Sequence, residues 1–247
     1  NIWSHLLGAL VCIVVSPLVY FKYIGLTDTI RWTDVAVFYI FMAGAVACLS
    51  MSALFHTFSC HSEPIAHQWN RCDYVGIVFL IVGSFYPAIF YGFYCYKTWQ
   101  IVYTTLISIF GAATIVAVVR PEFRTPQYRW IRSSLFLAMG LSGIIPALHG
   151  LALYGYHLAD KAISLRYMIC MGGCYVFGAL LYASRIPERF FPGKLDHFGA
   201  SHQIFHVCVL LGCLSHFLGV TKAMAFWHDS NHSCSIPIEQ MRAVFNK

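Results

Sequence analysis

Seven long apolar runs, separated by short polar connections, constrain this 247-residue chain more than anything else in it. Each approaches or exceeds the ~20 residues a helix needs to cross about 30 Å of hydrocarbon. Lipid offers no hydrogen-bond partners, so a spanning backbone must satisfy its own amides, which restricts each run to a helix. The runs fall at 2–20, 34–57, 74–95, 101–119, 133–154, 165–184 and 201–220. Only 11% of the residues are charged, where a soluble domain averages roughly 25%, so lipid is the solvent for most of the surface. The expected fold is all-α: a seven-transmembrane helix bundle forming one domain over 1–223, with an extracellular tail over 224–247.

No linker, low-complexity segment or internal repeat divides the chain. It begins at Asn1 rather than Met, so an upstream segment is expected. The ten cysteines mostly fall inside the runs, where they act as small apolar residues rather than as a disulfide framework. The net charge of +6 is spread over many loops, without the basic block that nucleic-acid binding requires.

Arginine and lysine set the orientation. Loops on the amino-terminal side collect Arg71, Arg120, Arg124, Arg129, Arg132, Arg185, Arg189 and Lys194, against Lys22, Arg31, Lys97, Lys161 and Arg166 opposite. Lys222, Arg242 and Lys247 narrow the margin. The bias predicts a cytosolic amino terminus and an extracellular carboxyl terminus, opposite to G-protein-coupled receptors, whose signature motifs are also missing.

His202 and His206 stand one helical turn apart at the start of the last run. Residues at i and i+4 share a helix face, so both imidazoles can reach one ion. With alternating spans, the second run ends on the same side at His56 and the third begins there at Asp73. Three imidazoles with an open fourth position form a catalytic zinc pattern, in which Asp73 would serve as general base. Ordinary alternatives stand beside this reading. His56 can be a hydrogen-bonded residue at headgroup level, Asp73 can cap its helix, and paired interfacial histidines occur without metal. Ser52, four residues before His56, can support a water or simply pack; Arg132, where the fifth run begins, can snorkel to lipid phosphate or turn inward to a carboxylate. Gly76 with Gly83, and Gly140 with Gly143, would permit close helix contacts, including those of a homo-oligomer.

These residues also carry a resemblance. Asn1-Ile2-Trp3-Ser4-His5-Leu6-Leu7-Gly8, the segment from Ser52 through His56 to Glu63, Asp73-Tyr74-Val75-Gly76-Ile77, Thr125-Pro126-Gln127-Tyr128-Arg129, Ser142 to His149, Arg185 to Lys194 and Ser201-His202-Gln203-Ile204-Phe205-His206 resemble the progestin and adipoQ receptor family. They are most similar to its adiponectin receptor branch, and the match runs from Asn1 to about Val220. The resemblance implies a seven-helix plasma-membrane protein with zinc near the cytosolic side, held by His56, His202 and His206. Asp73 and Ser52 then fall on the family's catalytic positions. Arg132 and Tyr74 fall where the acyl product lies. It also implies sensing of an adiponectin-like extracellular hormone and hydrolysis of ceramide to sphingosine and free fatty acid. The long cytosolic region expected of the branch is not in this chain. The competing expectation is a receptor whose zinc is purely structural; a channel or transporter fits less well, because there is no acidic ring and no broken-helix pair beyond Pro87 and Pro146.

Overall fold

The computed structural model describes residues 1–21, 28–195, 198–229 and 234–245; Lys22 and Lys247 of the charge balance lie outside them. The described residues form helices and turns and no strand. The helices are α1 (Ile2–Val19), α2 (Trp32–Phe58), α3 (Glu63–Gly92), α4 (Lys97–Val118), α5 (Arg129–Leu141), α6 (Ile144–Ala162), α7 (Leu165–Ser184), α8 (Ser201–Trp227) and α9 (Ile238–Phe245). Two short 3-10 turns precede α5. Seven segments are long and apolar enough to cross a membrane, with α5 and α6 together forming the fifth.

The helices depart from the apolar runs where polarity and helicity part company. α3 begins at Glu63 rather than near Tyr74, because its first turns (Glu63, His67, Gln68, Asn70, Arg71) are polar yet helical, with Pro64 in the favoured first turn. Asp73 therefore lies inside a helix, and the capping role weighed for it is excluded. The fifth span breaks at residues 142–143, and within α6 Gly155 adopts a φ of 69°, which only glycine takes without strain.

α2, α3 and α8 carry the core, through Phe38, Phe41, Leu49, Leu80, Val209 and Val220. A Cβ on Gly44 would stand 2.5 Å from the Phe79 carbonyl oxygen, and one on Gly76 would stand 2.9 Å from Cys48 Cα. Small residues thus let α2 and α3 meet backbone to backbone, the usual route to tight packing in lipid, where apolar burial drives little. Outward faces keep large apolar side chains exposed, such as Leu7, Val14, Ile109 and Ile169.

At the end of the bundle away from Asn1, polar groups tie the carboxyl-terminal segment down. Asp34, fully buried, accepts hydrogen bonds from Tyr91 Oη (3.0 Å) and the Arg31 amide (3.1 Å), and pairs with His228 Nε2 (2.8 Å). Trp227 Nε1 donates to the Ala162 carbonyl at 3.0 Å. Cys95 and Cys234, 139 positions apart, form a disulfide, contrary to the expectation of no disulfide framework; eight other cysteines are free as expected. Both partners sit at the same end of the bundle outside the helices, a proximity that only the fold creates.

Candidate metal centre

α2 delivers His56 from its last turn, and α8 delivers His202 and His206 from its first two. Their ligand atoms all lie within 4.8 Å of one another. His202 Nε2 is 3.0 Å from His56 Nε2, and His206 Nε2 is 3.3 Å from it. Nitrogen ligands about 2.0–2.1 Å from a tetrahedral metal ion stand roughly 3.3 Å apart, so the two separations from His56 already match those of a coordination shell. A proton between two of these nitrogens leaves the third lone pair unserved, whereas a cation at their centre serves all three. The residues fit a metal ion.

The start of α8 is held from outside the membrane-spanning segments. Glu188 accepts the Ser201 amide (2.8 Å) and hydroxyl (2.6 Å), satisfying a free amide at the helix start. Burial alone would push the Glu188 carboxyl up; the Ser201 hydrogen bonds, with the Arg185 guanidinium, outweigh it and hold it below the usual carboxylate range.

Around the triad the other expected residues converge. Asp73 and Ser52 are both buried. Arg132 is only 5% exposed, so it turns inward rather than toward headgroups. Its Nη1 donates to the carbonyls of Phe123 and Thr125, its guanidinium lies 5.1 Å above the Tyr74 ring centre, and its Nε is buried out of reach of solvent without a partner. Ser52, Asp73, Tyr74, Arg132, His202 and His206 all line one cavity of about 460 Å³.

The cavity is otherwise largely apolar. It continues past Ser84 and Phe85 to Gly92 and Phe93. From Asp73 to Gly92 along α3 is roughly 28 Å, most of a membrane thickness. Leu141, Ile144 and Ile169 line it while being 45%, 53% and 63% exposed, so it opens sideways between the fifth span and α7.

Sequence reasoning gave no role to three residues at the triad. His5 stacks on His206, with ring centres 3.6 Å apart and planes 8° from parallel, and Ser4 Oγ lies 3.2 Å from His206 Nδ1. The Tyr182 ring lies 5.3 Å from that of His202. The depth argument that found His56 would have found Ser4 and His5, since α1 begins on the same side.

Comparison with known proteins identifies the family. The family described as haemolysin-III related matches residues 1–217. The chain is 41% identical over 239 residues to an adiponectin receptor protein of Drosophila melanogaster, covering 97% of this chain and 53% of the relative. It is 41% identical over 226 residues to progestin and adipoQ receptor-like protein 1 of Caenorhabditis elegans, covering 92% and 51%. Against a heptahelical transmembrane protein, ADIPOR2, of Oryza sativa subsp. japonica, identity is 41% over 197 residues, 79% of this chain and 85% of the relative. The chain spans about half the length of the fly and worm relatives. With seven spans, a histidine triad and these relatives, the chain belongs to the haemolysin-III-related progestin and adipoQ receptor family, as an adiponectin-receptor-like integral membrane protein.

Proposed function

We propose that this protein is an intramembrane zinc-dependent amidase that hydrolyses ceramide to sphingosine and a free fatty acid. The reading is carried by the meeting of three imidazole nitrogens, a buried carboxyl and a buried guanidinium at one end of a cavity as long as a membrane is thick. When bound by His56, His202 and His206, zinc supplies a Lewis acid for the amide carbonyl and makes water a stronger acid. Asp73 accepts a proton from the attacking water and returns it to the leaving amine as the C–N bond breaks. Ser52 orients the Asp73 carboxyl. The Arg132 guanidinium, part of the cavity wall, receives the new carboxylate, with Tyr74 stacked beneath it. The apolar length of the cavity accommodates the acyl chain, and its sideways opening lets a lipid arrive without leaving the bilayer.

The decisive variant is Asp73→Ala. Ceramide hydrolysis by the purified protein should fall at least about 100-fold while metal content stays that of the wild type. Hydrolysis at the wild-type rate in this variant overturns the amidase reading. A wild-type protein that holds the metal and releases no fatty acid supports the rival reading, a receptor with a structural zinc.

In the same proposal the amino terminus is cytosolic and the tail extracellular, at the plasma membrane. The arginine bias supports this, as does the disulfide on the tail's face, because disulfides persist in oxidising compartments. The similarity to an adiponectin receptor protein of the fly supports sensing of an adiponectin-like hormone on that face.

A further inference from the structure

We infer that the first turn of α1 is a positioning device for His206, with Ser4 setting which ring nitrogen carries the proton and His5 setting the plane of the ring. The inference rests on the triad being a metal centre.

Proton counting carries it. A serine hydroxyl has one proton, and Ser4 Oγ–H donates to the Asn1 carbonyl at 2.8 Å. What Oγ offers His206 Nδ1, 3.2 Å away, is a lone pair, so the ring must present Nδ1–H there. A neutral imidazole carries a single N–H, which leaves Nε2 with its lone pair facing His56 and His202. The competing arrangement has Nε2–H shared with His56 Nε2 at 3.3 Å, and Ser4 works against it. His202 lacks this support, since its Nδ1 is buried with no partner. Of the α8 pair, His206 is therefore the ligand whose donor atom is prepared before the ion arrives, by a side chain 202 positions away. His5, stacked at 3.6 Å, removes the ring's freedom to rotate out of that bond. Partners that fix a ligand's tautomer and orientation are worth roughly ten- to a hundredfold in metal affinity.

The test uses the whole chain in lipid nanodiscs, stripped with chelator and titrated with Co²⁺ and Zn²⁺. Ser4→Ala and Ser4→Val should raise the metal Kd roughly ten- to a hundredfold and shift the Co²⁺ visible absorption bands, while Ser4→Thr, which keeps the hydroxyl, should stay within about threefold of wild type. Threonine and valine have the same shape, so a difference between them reports the hydroxyl and not packing; matched melting temperatures of the stripped variants confirm the fold. Wild-type affinity and spectrum in both Ser4→Ala and Ser4→Val overturn the inference and leave the metal centre standing. A wild-type chain that takes up neither ion overturns both.

Discussion

Arg132 shows how much one buried side chain can be asked to do. Two carbonyls, of Phe123 and Thr125, and the Tyr74 ring already engage its guanidinium, and its buried Nε–H has no protein partner. Lysine has the charge but not the planar fork, and it cannot hold the two carbonyls, stack on the ring and still offer a donor. Arg132→Lys should therefore weaken inhibition by free fatty acid roughly tenfold while leaving metal content unchanged, as measured by product-inhibition kinetics and metal analysis. Equal inhibition in both proteins would remove Arg132 from the carboxylate site. At this scale the sequence was readable where a spacing or a shared depth spoke. His202 and His206 announce themselves by i, i+4, and His56 follows from the alternation of spans. Ser4, His5 and Tyr182 carry no spacing signal; depth places Ser4 and His5 on the side of the triad, and only the packing of distant helices brings them into contact with it. Whether Arg132 snorkels or turns inward depends on the carbonyls of Phe123 and Thr125 in the segment before α5, which no spacing in the sequence encodes.

Among the elements, α2 and α3 matter most, because one carries His56 and Ser52 and the other Asp73. Their separation is set by glycines. A valine at Gly44 would drive its side chain into the Phe79 carbonyl, whereas a Cβ at Gly140 meets nothing within 4 Å. Gly44→Val should cost about 2 kcal/mol or more of stability and reduce metal retention, while Gly140→Ala should be neutral or slightly stabilising; thermal melts with and without added Zn²⁺ distinguish them. Unimpaired metal retention in a folded Gly44→Val protein would show that helix separation does not govern the centre. Hydropathy made the apolar lengths of these helices legible and hid the rest. The polar opening of α3 at residues 63–73 is silent in hydropathy, and so is the break at 142–143, where both halves are apolar. Hydropathy alone therefore puts Asp73 at a helix boundary, although it lies well inside one.

For the molecule as a whole, the number of spans and the direction of charge bias were written in the chain, but the closure of its far end was not. Cys95 reads as one more apolar cysteine at the end of a span and Cys234 as a lone cysteine in the tail until the fold brings them together, alongside the Asp34–His228 pair and the Trp227 hydrogen bond. If that end is extracellular, intact cells treated with a membrane-impermeant reductant and maleimide should label Cys95 and Cys234, while Cys60, exposed at the other end, reacts only after permeabilisation. The reverse pattern would invert the proposed orientation. The sideways opening beside Leu141, Ile144 and Ile169 changes what concentration means for this protein. A site filled through its flank samples the two-dimensional composition of the surrounding leaflets, so its occupancy follows the mole fraction of ligand among lipids and is indifferent to how much water the membrane is suspended in.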